Sequence, residues 1–118
     1  MNTITERLTP GLAADEARLP EEARFREEGR GVRFDECDLR GQMRSAALLR
    51  HAQDLAWRHS EVLEYGRAWY EARGVGWVVR SVDMLIDQPP HSNEDLAGTT
   101  ALVGFRHVMA RRHTRLFS

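Results

Sequence analysis

Residues Arg44 to Leu63, RSAALLRHAQDLAWRHSEVL, decide the fold because they lie in the longest stretch without glycine or proline. Apolar side chains recur there at steps of three and four, the spacing of one face of an α-helix. Ser45 stands near the start, where its hydroxyl can cap a helix, and Gly66 follows the end. The sequence therefore predicts one long amphipathic helix. Its apolar face comprises Leu48, Ala52, Leu55, Ala56, His59, Val62 and Leu63.

The segments around this helix have the pattern of β-strands. The run from Trp77 to Asp87 is rich in β-branched residues and alternates, and Pro89-Pro90 ends it. One predicted face comprises Val78, Val82, Met84 and Ile86, and the other holds Asp83 and Asp87. A short helix over RAWYEARG, ending at Gly74, separates this run from the long helix. A strand, a long helix and then antiparallel strands predict an α+β domain with the helix on a curved sheet. The predicted strands are residues 25–36, 77–87, 96–105 and 108–117, the last two joined tightly around Arg106-His107.

Composition limits the classes of protein to consider. A chain of 118 residues with a net charge of −1 is one domain and has no general affinity for nucleic acid or anionic membranes. The single cysteine excludes an internal disulfide and fits a reducing compartment. There is no run of 18 apolar residues and no signal-peptide pattern, so we expect a cytoplasmic protein. Residues 1–24 are charge-dense and broken by prolines, which indicates an N-terminal extension before a domain over 25–118.

Four motifs in this order resemble the hot-dog thioesterases, from about Arg30 to Ser118. They are FDECDLRG, LLRHAQDLAWRHSE, GVGWVVRSVDMLID and ARRHTRLF. The resemblance is closest to the acyl-ACP and 4-hydroxybenzoyl-CoA thioesterase branches. It implies hydrolysis of an acyl-ACP or acyl-CoA thioester without a metal or organic cofactor, in a homodimer or higher homo-oligomer. The acyl-ACP branch pattern is kept at Leu48, Leu49, Gln53, Asp54, Ala56 and His59, and at Trp77, Val78 and Val79.

The resemblance places the catalytic carboxylate on Asp38. The 4-hydroxybenzoyl-CoA branch has Asp-x-Asp-x-x-Gly, whose second Asp attacks the thioester or activates water, and this chain reads ECDLRG from Glu36 to Gly41. The chain departs from that branch at two places: its first acid is Glu36 instead of Asp, and Ala47-Leu48 replaces an Asn-Tyr. Backbone amides at the helix start, near Ser45, would stabilise the oxyanion. The alternative is that Asp38 only caps the helix or forms a turn.

Four other residues are candidates, each with a structural alternative. Gln53 and Asp54 occupy mid-helix positions where some hot-dog enzymes hold a polar catalytic residue; otherwise Gln53 is a buried polar contact and Asp54 an exposed one. His59 is either a core histidine or a catalytic base. Trp77 is expected to line an acyl site, although core packing also explains it.

Two classes of function stay open. One is an acyl-thioester hydrolase, and the other is a non-catalytic hot-dog module that binds an acyl group or a partner chain. A dehydratase usually needs a histidine with an acidic partner, and no motif for such a pair is present. The pattern also supplies one strand fewer than the resemblance implies, so we expect the last strand to be missing. We therefore expect the isolated chain to be marginally stable, aggregation-prone or completed by a partner.

Overall fold

A computed structural model describes residues 20–106 and 109–118, and it has the expected α+β architecture. Three strands form one antiparallel sheet in the order β1-β2-β3, and the long helix α1 packs against it. The elements are β1 (Arg24–Gly31), α1 (Ser45–Val62), α2 (Arg67–Arg73), β2 (Asp95–Arg106) and β3 (Met109–Phe117), with 3₁₀ turns at Glu21–Ala23 and Phe34–Glu36. Most of the predicted N-terminal extension and part of the predicted turn at Arg106-His107 lie outside the described residues.

The long helix is confirmed, with two differences from the prediction. Its buried residues are Ala47, Leu48, Leu55 and His59, whereas Val62 at its end is 66% exposed. Ser45 is the first helical residue and not the cap, because Arg44 occupies the cap position and makes no side-chain capping bond. The short second helix is also confirmed. It ends before Gly74, whose φ of 63° is a conformation that glycine adopts at little cost.

The first and second predicted strands need correction. The strand predicted over 25–36 ends at Gly31, because the chain then turns so that the Glu36 carboxylate accepts a hydrogen bond from the Arg33 amide, 2.9 Å away. The segment predicted as a strand over 77–87 has no strand assignment in the described structure. Of the four residues predicted to share one face, Met84 and Ile86 pack against the core, whereas Val78 and Val82 are exposed. Alternation describes side chains, however, and a strand also needs a neighbouring backbone with which to pair.

The core lies between α1 and the sheet, and its closest approach is at Gly98 in β2. A Cβ atom at Gly98 would lie 2.9 Å from side-chain atoms of both Leu55 and Leu116. The absence of a side chain there is what allows the helix to approach the central strand so closely. The buried core residues are Val32, Cys37, Met43, Ala47, Leu48, Leu55, Leu96 and Leu116. No helix within the described part of the chain is long and apolar enough to cross a membrane.

Candidate active site

The turn before α1 presents the polar residues that the motif predicted. The amide of Asp38 donates to the carbonyl of Gln42 (2.8 Å), and the amide of Gly41 donates to the carbonyl of Asp38 (3.0 Å). Gly41 closes this turn with a φ of 76°, which any other residue would adopt only with strain. A bridge between Cys37 and Met43 anchors the turn to the buried core. The turn is therefore held rigidly at the N-terminal end of α1.

Asp38 is exposed at this turn, and one of its two carboxylate oxygens is engaged. Oδ1 accepts hydrogen bonds from the amides of Arg40 (2.8 Å) and Gln42 (3.1 Å). The amides of Gln42 and Arg40 lower the pKa of Asp38, which keeps it ionised at neutral pH. Such contacts are typical of a turn residue, yet Oδ2 has no hydrogen-bond partner among the described residues. The catalytic role of Asp38 stays a prediction.

Two backbone amides in the first turn of α1 have no acceptor among the residues that the structure describes. The amides of Ala47 and Leu48 both donate to the carbonyl of Arg44, at 3.0 and 3.1 Å. The amides of Ser45 and Ala46 have no acceptor within the described structure, and both residues are exposed. No acidic side chain lies in this turn. The positive end of the helix dipole is therefore open to an anionic or polarised oxygen.

A pair that the motif analysis missed, Glu36 and His51, lies behind this turn. Glu36 Oε2 is 2.7 Å from His51 Nε2, and the two side chains are only 14% and 9% exposed. Burial raises the pKa of Glu36, but hydrogen bonds from the Arg33 amide and from His51 outweigh burial and leave the pKa below its ordinary value. The structure thus contains a histidine with an acidic partner, for which the sequence offered no motif. Helical spacing could have shown that His51 faces inward, because it lies between Leu48 and Leu55 on the inward side of α1.

A small pocket beside His51 lies between α1 and the sheet. Its walls include His51, Leu55, Gly98 and Leu116, and it has room for about one water molecule. The ion pair between Arg30 and Glu27 (3.3 Å) also borders it. This pocket is too small to hold an acyl chain as it stands.

His59 is buried in a second polar network, on the far part of α1. Its Nε2 is 2.8 Å from the carbonyl oxygen of Glu22, and its Nδ1 is 2.9 Å from Nη1 of Arg112. A carbonyl only accepts and a guanidinium only donates, so Nε2 carries the proton and Nδ1 accepts. Burial lowers the pKa of His59, and the charge of Arg112 lowers it further. Both ring nitrogens are occupied, which favours the structural role for His59.

The other candidates lie at the surface. We predicted that Gln53 would be buried and Asp54 exposed, but Gln53 is exposed and Asp54 is partly buried. The reason is that Asp54 Oδ2 forms ion pairs with both Arg30 and Arg58, each at 3.0 Å. Trp77 is 59% exposed, and its indole N–H donates to the Tyr70 hydroxyl at 2.9 Å. None of these three residues joins the Asp38 turn in the described structure.

The described residues also bear on two other kinds of site, a cysteine nucleophile and a metal centre. The Cys37 thiol is buried, and burial together with the charges of Glu36 and Asp38 raises its pKa, which makes it a poor nucleophile. Within residues 20–106 and 109–118, no three His, Cys, Asp or Glu side chains come together as a metal-binding group.

The class of protein that the fold defines is an α+β domain, with a polar turn at the N-terminus of its long helix. The family model of the acyl-ACP thioesterase N-terminal domain matches residues 24–118. The chain belongs to the acyl-ACP thioesterase family, whose members hydrolyse acyl thioesters. A comparison with curated proteins finds no match. The matched region begins at the first residue of β1.

Proposed function

We propose that this protein hydrolyses the thioester of acyl-ACP or acyl-CoA at the N-terminal end of α1. The observation that carries the proposal is the open first turn of α1. The unused amides of Ser45 and Ala46 lie there next to the turn that holds the ionised Asp38. A thioester carbonyl needs both groups, donors for its developing negative charge and a nucleophile. Membership of a thioesterase family supports the same chemistry.

In this mechanism the acyl carbonyl oxygen accepts hydrogen bonds from the two amides. Asp38 Oδ2 attacks the acyl carbon, the carbon–sulfur bond breaks, and the thiolate leaves and takes a proton from solvent. The product of this step is an acyl–Asp38 anhydride, which water hydrolyses to the free acid. The lowered pKa of Asp38 keeps it in the reactive, ionised form. Trp77 and Ser45 are the predicted contacts to the substrate.

The first prediction concerns Asp38. We expect Asp38→Asn to reduce turnover about a hundredfold or more, the scale of a positioned catalytic group, while the protein stays folded. The measurement is hydrolysis of acyl-CoA and acyl-ACP over a series of chain lengths, with circular dichroism as the check on folding. The control is Asp83→Asn, which removes a charge from an exposed residue outside the turn. Wild-type turnover in Asp38→Asn would remove Asp38 from the mechanism, and a wild type inactive on every substrate would contradict hydrolysis itself.

A second candidate function is supported by the surface between α2 and β2. Five large apolar residues of this segment are exposed: Val75 at 56%, Trp77 at 59%, Val78 at 89%, Val79 at 59% and Val82 at 50%. An apolar surface of this kind is typical of a protein interaction site. It favours a non-catalytic module that binds a partner chain, and we expect such a module to bind without turning over any thioester.

A further inference from the structure

We propose that His51, held by Glu36, is the base that activates the hydrolytic water at this site. The inference rests on the proposed function, because it assigns the second half of that reaction. Glu36 acts as a positioning residue, and His51 as the catalytic one. Nothing in the family match or the motif points to either role.

The hydrogen bonds around His51 define which ring nitrogen is available. The Glu36 carboxylate is ionised and only accepts, so in the neutral ring Nε2 carries the proton and donates to it across 2.7 Å. Nδ1 then has a lone pair, and it makes no hydrogen bond within the described residues. His59 is the contrast, because its Nδ1 lone pair is already used by Arg112. His51 is thus the helix histidine that combines an ionised partner with a free acceptor nitrogen.

The place of His51 in the fold suits a base that uses water. It borders the pocket that has room for about one water molecule. Helical side chains tilt towards the helix N-terminus, so His51 leans towards the end where Ser45 lies. The amide of Arg44 donates to the carbonyl of Glu36 at 2.9 Å, which ties the pair to the first turn of α1. The backbone of Glu36, the partner of His51, is thereby joined to the end of the helix that carries the open amides.

The step that His51 would catalyse is hydrolysis of the acyl–Asp38 anhydride. The water oxygen attacks the acyl carbon while His51 Nδ1 takes one proton from that water. The bond between the acyl carbon and Asp38 Oδ2 then breaks, Asp38 leaves as a carboxylate, and the free acid is formed. His51 returns its proton to solvent, so the site regains its starting state and no co-reactant besides water is consumed.

The test compares thiol release with the full cycle in His51→Gln. Gln has a similar size and no basic nitrogen. We expect this variant to release about one equivalent of thiol per protein at the wild-type rate, and then to turn over about a hundredfold more slowly. Intact-mass measurement after the burst should find the acyl group on the protein, and hydroxylamine should trap it. The matched control is His91→Gln, an exposed histidine, with wild-type turnover expected.

Two further variants separate catalysis from folding. Glu36→Gln should keep the burst, accumulate the same adduct and slow the later turnover, since it no longer holds the ring with a charge. His51→Ala should regain turnover when free imidazole is added, which a purely structural role would not allow. The inference is overturned by wild-type turnover in His51→Gln, by slow turnover without any adduct, or by the absence of imidazole rescue. An inactive wild type would instead overturn the proposed function, so the two failures are distinguishable.

Discussion

At the scale of single residues, the polar groups of α1 divide into two networks with different tasks. In the Glu36–His51 pair one ring nitrogen has no hydrogen-bond partner among the described residues, and His51 borders a pocket. The network around His59 is closed, because Arg112 Nη1 donates both to His59 Nδ1 (2.9 Å) and to the buried Thr100 hydroxyl (3.1 Å). A partly buried cation whose described hydrogen-bond partners are neutral depends on each of those bonds. We therefore expect the second network to affect stability, not chemistry.

The prediction for His59 follows from that division. His59→Gln should lower the free energy of unfolding by about 1–3 kcal/mol, the cost of leaving buried hydrogen-bonding groups unpaired. Turnover per folded molecule should stay near that of the wild type. Chemical denaturation and the hydrolysis assay on the same samples provide both quantities. A selective loss of turnover at unchanged stability would make His59 part of the active site.

The pH dependence of stability supplies a second check on His59. Burial lowers its pKa in the folded state, whereas in the unfolded chain it titrates near its ordinary value of about 6.5. The unfolded state then binds more protons, so the contribution of His59 is fully present above pH 6.5 and is lost as the pH falls through the folded pKa. Gln does not titrate. The difference in unfolding free energy between wild type and His59→Gln should therefore narrow from pH 7.5 to pH 5.5, and a constant difference would show that His59 is not buried neutral.

At the scale of elements, the contact between α1 and β2 determines how tightly the helix packs against the sheet. Gly98 faces Leu55 of the helix and Leu116 of β3, both of which would meet a new Cβ at 2.9 Å. Cores tolerate added atoms poorly, because neighbours must leave their preferred rotamers. The same contact bounds the pocket beside His51.

We predict that Gly98→Ala destabilises the domain by about 1–3 kcal/mol, the usual cost of an overpacked core. It should also slow hydrolysis if the pocket holds the attacking water. The matched control is Gly104→Ala in the same strand, where a Cβ would meet nothing within 4 Å. Thermal and denaturant unfolding of the two variants provide the comparison. Equal stability of the two variants would contradict the close contact between α1 and β2 at Gly98.

At the scale of the whole molecule, residues 77–87 between α2 and β2 form no strand in the described structure and expose apolar side chains. Val78 is 89% exposed and Val82 is 50% exposed, although Met84 and Ile86 of the same segment pack against the core. Exposed apolar residues in a segment without a strand partner in the described structure invite pairing with another chain. We propose a homodimer or higher homo-oligomer formed through this segment.

The prediction is a concentration-dependent mass in solution. Light scattering of the 118-residue chain should report a species larger than 13.5 kDa that dissociates on dilution or aggregates on heating. Val78→Ser with Val82→Ser should shift that mass towards the monomer, since they remove exposed apolar area without touching the core. The control is Val62→Ser, an exposed apolar residue at the end of α1. A cooperatively unfolding monomer with no exposed apolar surface would contradict the proposal.

The sequence by itself determined the structural features that depend on local periodicity. The spacing from Leu48 to His59 predicted α1, and Gly74 predicted the end of α2. These features follow from intrinsic geometry, since a helix or a glycine turn needs only its own backbone. The order of the motifs was enough to identify the family.

Only the tertiary structure decided which residues meet. Periodicity cannot show that residues 77–87 pair with no strand in the described part of the chain, because pairing depends on a distant backbone. It cannot bring Glu36 to His51 either, since their contact exists only once the turn before α1 folds back on the helix. Asp54 was assigned the wrong exposure because arginines from β1 and α1 converge on it. Long-range contacts of this kind determine the candidate site, which is why its histidine was found in the structure and not in the motif.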